Sequence, residues 1–331
     1  MRIQAQEIRE KIFKILVNYN FRNEKAQILA DIFTESSLDG VYSHGLERFP
    51  RFIRNVKDGI VKVEADPEKV VSYGNIEQWN GKLGPGILNA RFCMDRAIDI
   101  ADNAGIGCVA LSNTNHWMRG GSYGWQAAEK GFIGICWTNT SPNMVAWGGD
   151  EPRIGNNPFI VGIPKSEGHI VLDMALSQFS FGKMQSYATE GKTLPFPGGW
   201  DDNGELTTDP EAIITNAKAL PIGYWKGSGL SFVLDLMAAL LSSGDPTCRI
   251  GQKEEEYGLS QVFIAVNIKW LDPVNVNILI DEVIQNVHDS KRLIREKGTF
   301  YPGERTLKIR KENQKLGIPV NKITWEKILK L

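Results

Sequence analysis

Ile106-Gly107-Cys108-Val109-Ala110-Leu111, then Tyr123-Gly124-Trp125-Gln126-Ala127-Ala128-Glu129-Lys130, then Phe132-Ile133-Gly134-Ile135-Cys136-Trp137: this stretch decides the fold. Residues 106–111 and 132–137 are short apolar runs of strand length, and 123–130 carries helical spacing between them. A strand–helix–strand order requires a crossover connection and so predicts an α/β core. Upstream, residues 87–104 read as a helix carrying Phe92, Met94, Ala97, Ile98 and Ile100, preceded by short strands at 70–71 and 76–79. Downstream, 159–163, 170–174 and 262–268 read as further strands. Residues 193–208 are rich in Pro, Gly and Asp and read as a long loop, and 230–241 as a buried helix.

Outside this core the period is helical. Ile8, Ile12, Phe13 and Leu16 share one face, as do Ile28, Leu29, Ile32 and Phe33 in the next segment, and Gly40 suits a helix stop. Leu46, Phe49, Phe52, Ile53 and Val56 mark a third helix, in which Pro50 predicts a kink or break. From Asp272 on, charged amphipathic helix returns. The expected division is a helical N-terminal segment (1–68), an α/β core binding substrate and cofactor (69–270), and a helical C-terminal segment packing back on it (271–331).

Composition excludes several function classes. Lys and Arg number 38 against 39 Asp and Glu, a net charge of −1. A nucleic-acid binder needs a cation surplus to displace counterions, and a polybasic membrane anchor needs one too. The four cysteines (Cys93, Cys108, Cys136, Cys248) are far apart with no C-x-x-C pair, so neither a zinc ribbon nor a disulfide framework is expected, and no metal site. Residues 1–7 offer no apolar stretch for a signal peptide, and 230–241 is too short for a membrane span and holds Asp235. A cytoplasmic protein with no nucleic-acid or membrane partner is expected.

Two pattern matches lack the context they need. Gly105-Ile-Gly107-Cys-Val-Ala110 fits a dinucleotide fingerprint, but a helix leads in and a strand leads out, the reverse of the required order. Gly120-Gly-Ser122-Tyr-Gly124 fits a nucleophile elbow, yet a long polar loop separates Ser122 from the preceding strand, and Ser122 reads better as a helix N-cap.

The four histidines are more informative. His44 and Arg48 stand one turn apart if their segment is helical. An imidazolium can protonate the alkoxide formed when a 2-oxo acid is reduced, and a guanidinium can hold the acid's carboxylate bidentately. The plain alternative is a surface histidine beside a solvated arginine. Asn113-Thr114-Asn115-His116-Trp117-Met118-Arg119 follows a strand that should be buried, the place where α/β sheets gather ligands; an ordinary polar connection fits equally. His169 and His288 have no such company and read as structural. Lys226-Gly227-Ser228-Gly229 opens a helix and can cradle an anion, or simply turn the chain. Trp117, Trp125, Trp137 and Trp147 can stack a sugar or a nicotinamide, although Trp is more often core.

Together these segments resemble the type-2 malate/L-lactate dehydrogenase family, whose members reduce 2-oxo acids with NADH or NADPH. The resemblance runs from the N-terminal helices to about residue 306. It rests on Ser43-His44-Gly45 with Arg48, Asn115-His116, Trp147-Gly148-Gly149 and Gly155-Asn156-Asn157-Pro158. It continues through Leu172-Asp173-Met174-Ala175 with Gly182-Lys183, Lys226-Gly227 with Gly229-Leu230, and Tyr301-Pro302-Gly303-Glu304. Asn115 to Gly121 and the Trp-rich stretch behind them resemble a branch acting on a 2-oxo sugar acid.

The resemblance implies a non-Rossmann α/β fold of the family's own, with a mixed sheet core and helical N- and C-terminal segments, assembled as a homodimer. It implies His44 as proton donor, His116 as second acid/base candidate, and Ser43, Arg48 and Arg119 as substrate-binding. Cofactor contacts are implied at Gly168, His169, Ile170, Val171, Leu172, Asp173 and Met174, at Tyr224, Trp225 and Lys226, and at Glu304, Arg305 and Thr306. Asn156, Leu176 and Ser228 depart from the residues usual in relatives, which bears on the choice of NADH or NADPH. The expected function is NAD(P)H-dependent reduction of a 2-oxo sugar acid at C2. The alternatives are reduction of another short 2-oxo acid (malate, lactate or ureidoglycolate type), a serine hydrolase using Ser122, and a sugar-acid-binding module.

Overall fold

In a computed structural model, residues 1–331 are described except 292 and 294–297. The chain opens with α1 (Ala5–Asn18) and α2 (Asn23–Leu38), a 3₁₀ turn over Tyr42–His44, and α3 (Phe49–Lys57). Then come β1 (Glu68–Tyr73), β2 (Ile76–Asn80), α4 (Gly86–Ala104), β3 (Ile106–Thr114), α5 (Gly121–Glu129), β4 (Phe132–Thr138), β5 (Phe159–Ile163) and β6 (Ile170–Met174). After these follow α6 (Phe181–Thr189), α7 (Pro210–Asn216), α8 (Trp225–Ser242), α9 (Thr247–Ile250), β7 (Leu259–Asn267), α10 (Pro273–His288), α11 (Glu304–Leu316) and α12 (Lys322–Leu329).

The seven labelled strands form one mixed sheet in the order β1-β2-β3-β7-β4-β5-β6. β2 and β3 are parallel, with Ile76 opposite Cys108, and are joined by the crossover helix α4. β7 lies antiparallel to both β3 and β4, its Phe263 opposite Val109 on one side and Cys136 on the other. The crossover read from the sequence therefore exists, but the last strand of the sheet fills the gap between its two strands. Successive side chains alternate between faces: Val109 and Leu111 pack with α4 and α5, while Ala110 and Val262 pack with Leu234 and Ala238 of α8. A separate core unites the chain's two ends: Ile8, Ile12, Phe33 and Phe49 pack with Ile318, Trp325 and Ile328, and Arg2–Ile3 pairs with Ile318–Pro319.

Several expectations change. Pro50 produces no kink, because α3 begins at Phe49 and a proline in the first turn gives up no helical hydrogen bond. His44 accordingly sits in a 3₁₀ turn ahead of the helix, and His44 and Arg48 are not one α-helical turn apart. Ser122 is not an N-cap; Gly120 occupies that position. Gly105 closes α4 at φ +82° and feeds β3, so the fingerprint is indeed reversed. The 193–208 loop contains a small hairpin, Gly199–Trp200 on Leu206–Thr207. The helix expected to be buried, α8, is half bare: Phe232 and Leu240 are 61% and 67% exposed, because only the Leu234 side meets the sheet. α10 buries no residue at all. The helical reading beyond residue 272 partly falls outside the described residues. Among the described residues no helix is long and apolar enough to cross a membrane.

Candidate active site

A cleft of about 1040 Å³ opens between the turn after α2, the loop after β3, the edge strand β6, the 251–256 segment and the 300–306 segment. His44 enters it from the 3₁₀ turn and His116 from the loop after β3. That loop is clamped by Asn115, whose Nδ2 donates to the carbonyls of Leu83 (2.7 Å), Gly84 (3.1 Å) and Ile60 (3.2 Å). Gly86, first residue of α4, permits this approach, because a Cβ there would overlap the carbonyls of Asn115 and His116. Gly182 does the same for the other histidine: a Cβ would stand 2.6 Å from that of Ser43.

The two imidazoles lie 5.8 Å apart between centroids at 26°. The Met118 N–H donates to His116 Nδ1 at 2.9 Å, which leaves the proton of the neutral ring on Nε2. Ser43 Oγ and His44 Nδ1 are 3.0 Å apart, and the tautomer sets which of them donates. Burial pushes the His44 pKa below its usual value of 6.5, with Arg48 and Arg119 adding to the effect and the Asp173 carboxylate opposing it. Burial, then Arg48 and His44, push His116 well below that value. Asp173 accepts a hydrogen bond from the Gly121 N–H at 2.8 Å, which fixes it in the cleft wall.

Three arginines meet this pair differently. Arg48 makes no ion pair among the described residues, and its pKa is lowered by burial and by Arg51 while Glu256 opposes the shift. Arg51 donates to Glu255 at 3.1 Å. Arg119 donates to Asp39, a fully buried carboxylate that also receives Arg310 of α11 (Nη2 to Oδ2, 2.7 Å). Arg119 Nε remains buried without a partner among the described residues.

Of the residues singled out from the sequence, Ser43, His44, Arg48, His116, Arg119, Val171, Leu172, Asp173, Arg305 and Thr306 line this one cleft. Gly168, His169, Ile170 and Met174 do not. Ile170 and Met174 are the two ends of β6 itself and Gly168 and His169 lead into it, with His169 Nε2 2.8 Å from Glu129 and its ring edge-on to Trp125. Glu304 stands at the start of α11 and accepts from the Tyr301 N–H at 3.0 Å. Tyr224, Trp225 and Lys226 are exposed at the start of α8, outside the cleft, with Tyr224 at the rare φ of +59°. The glycines after Lys226 lie in the first turn of α8, where Ser228 Oγ accepts from the Trp147 N–H. Ser122 neither lines the cleft nor bonds a histidine among the described residues. Sequence reading passed over Asp173 as a counter-charge for His44, and over Arg51, Thr140 and Glu256, while Asn156, noted as a departure bearing on the cofactor, does line the cleft. Arg51 alone had a local signal, its i, i+3 spacing from Arg48.

The cleft fits a nicotinamide dinucleotide alongside a small acid. Its volume suffices. Arg305, unpaired among the described residues, offers a cation for a phosphate at the α11 N-terminus, and β6 presents Val171 to Asp173 as a wall. Among the described residues no three His, Cys, Asp or Glu side chains gather as a metal site.

The chain matches the family described as malate/L-lactate dehydrogenase over residues 3–329. It is 44% identical over 330 residues to a protein of Salmonella paratyphi B (strain ATCC BAA-1250 / SPB7) named 2,3-diketo-L-gulonate reductase, covering 99% of each chain. Malate dehydrogenase from Entamoeba histolytica superposes with a TM-score of 0.94 at 25% identity, covering 100% of this chain and 96% of that one. Sulfolactate dehydrogenase from Methanocaldococcus jannaschii gives 0.90 at 26% identity, covering 99% and 95%.

Proposed function

The chain belongs to the malate/L-lactate dehydrogenase family, and from that premise we propose that it reduces 2,3-diketo-L-gulonate to 3-keto-L-gulonate with NADH or NADPH. It is an oxidoreductase acting on keto or hydroxyl groups, and its family implies a nicotinamide cofactor. The observation that supports the finer reading is the stacked His44–His116 pair in one cleft beside Arg48, which makes no ion pair among the described residues. The serine hydrolase is set aside with the family assignment.

In this reading Arg48 holds the substrate carboxylate and Ser43 lies beside it. His116, with Nδ1 already accepting from the backbone, directs its Nε2 proton at the C2 oxygen and stabilises the charge that develops there. His44 delivers the proton, and Asp173 sustains its charged form until it does. A bound nicotinamide supplies the hydride. Val171, Leu172, Asp173, Arg305 and Thr306 hold it, and orientation in the cleft supplies much of the rate. The protein acts in the cytoplasm as a homodimer, the second copy covering the bare faces of α8 and α10 and taking Tyr224, Trp225 and Lys226 out of solvent.

The test follows loss of reduced-nicotinamide absorbance when protein is mixed with 2,3-diketo-L-gulonate and either cofactor. Loss is expected, and His44→Ala should lower kcat about 10³-fold with KM within about threefold. Reduction of pyruvate and other short oxo acids instead would move the substrate within the family. Binding of the sugar acid without consumption of either cofactor would overturn the reading in favour of a binding module.

A further inference from the structure

Most cations of the cleft are already paired. Arg51 bonds Glu255, Arg119 bonds Asp39, and Lys253 bonds Asp245 at 3.0 Å. Among the described residues this leaves Arg305 near the 300–306 segment and Arg48 beside His44. Glu256 lines the same cleft and lies close enough for its charge to act on the Arg48 guanidinium. The Ser141 N–H donates to Glu256 Oε2 at 3.0 Å, no cation pairs with it, and Oε1 has no hydrogen-bond partner among the described residues. The cleft lining also holds Thr140, Ser141, Asn143 and Asn156, which are polar and uncharged, and the Arg51–Glu255 pair, whose charges already offset each other.

We propose that Glu256 sets the substrate's charge: it admits 2-oxo acids with one carboxylate and a hydroxylated tail, and rejects 2-oxo dicarboxylates. This rests on the oxo-acid reductase reading above. With Arg305 assigned to the cofactor, Arg48 is the one guanidinium left for the substrate, and it matches one carboxylate. A hydroxyl farther along the substrate can donate to Oε1, whereas a second carboxylate has no proton to give and meets a like charge while Arg48 is already taken by the first carboxylate. Discrimination of this kind is a repulsion as much as an attraction, and salt should weaken it.

The test compares kcat/KM for oxaloacetate with kcat/KM for two single-carboxylate acids, 2,3-diketo-L-gulonate and pyruvate, in wild type, Glu256→Gln and Glu256→Asp. The glutamine keeps an oxygen for the Ser141 N–H and removes only the charge. The oxaloacetate-to-monocarboxylate ratio should rise at least tenfold in Glu256→Gln and return to within about threefold of wild type in Glu256→Asp. In wild type the same ratio should rise with ionic strength. An unchanged ratio in Glu256→Gln, or equal loss on all acids, would overturn the proposal while leaving the reductase intact. Wild type reducing pyruvate but not the sugar acid would refute the substrate above, with the pyruvate ratio still deciding the role of Glu256. Reduction of no oxo acid by any of the three proteins would refute both.

Discussion

His44 and His116 are neighbours given different surroundings by what touches their Nδ1 atoms and by the charges near them. His116 is tied to a backbone N–H and driven far toward neutrality, while His44 has a carboxylate, Asp173, working against its burial. The sign of the pH dependence follows. On the proposed mechanism reduction needs His44 protonated, and burial lowers its pKa from the usual 6.5, so the acid form is present at low pH and is lost as pH rises through that lowered value. kcat/KM for reduction should therefore fall with rising pH with an apparent pKa below 6.5, and the reverse oxidation should gain over the same range. Asp173→Asn should move the profile lower still, and a pH-independent profile would remove His44 from the acid/base role. His44, Arg48 and His116 were legible because histidines are few and stand in polar company. Asp173 was marked only as a cofactor contact and Glu256 not at all, since each reaches His44 or Arg48 from an element distant in sequence, and a run such as Glu254-Glu255-Glu256 looks like a solvated face until its neighbours are known.

Individual elements show the same contrast. Strand and helix periods were readable for α4, β3 and β4. That β7 slots between β3 and β4 was not, because pairing partners leave no trace in a strand's own alternation. α3 was misplaced because its apolar pattern runs on through Leu46, although the chain there is a tight turn. The sheet margin also has its own fastening. Glu77 of β2 is buried and accepts from Arg96 of α4 (two bonds of 2.9 Å), Lys69 of β1 (2.9 Å) and Trp79 Nε1 (2.9 Å). These donors hold its carboxyl at a pKa of about 2, against an ordinary 4.5. The stabilisation is complete above the ordinary value and is lost as pH falls from 4.5 towards 2. Glu77→Gln should cost about 2 kcal/mol at neutral pH and much less near pH 3, measured by urea unfolding at both. An equal loss at both pH values would mean that packing, not charge, is what the residue contributes.

At the scale of the molecule, the uniformly apolar composition of α8 suggested burial, and in one chain that burial is incomplete. Phe232, Leu236 and Leu240 recur at helical spacing and stay exposed, as do Val274, Ile278, Leu279 and Val283 on α10. Faces of this kind are rare on monomers. Light scattering at micromolar concentration should give twice the chain mass, and Leu236→Asp should shift it toward one. A wild-type protein that scatters as a monomer would refute the homodimer and leave α8 and α10 without a partner.

The buried carboxylate of Asp39 has a consequence in time. Arg119 follows it by 80 residues and Arg310 by 271. At typical translation speeds the second arginine leaves the ribosome roughly 15–50 s after the carboxylate it neutralises. Until then the newborn chain lacks one of the cations that make burial of Asp39 tolerable, and a polypeptide stopped before Arg310 never acquires it. The interior around Asp39 is thus completed only after Arg310 has been made, long after the carboxylate it neutralises.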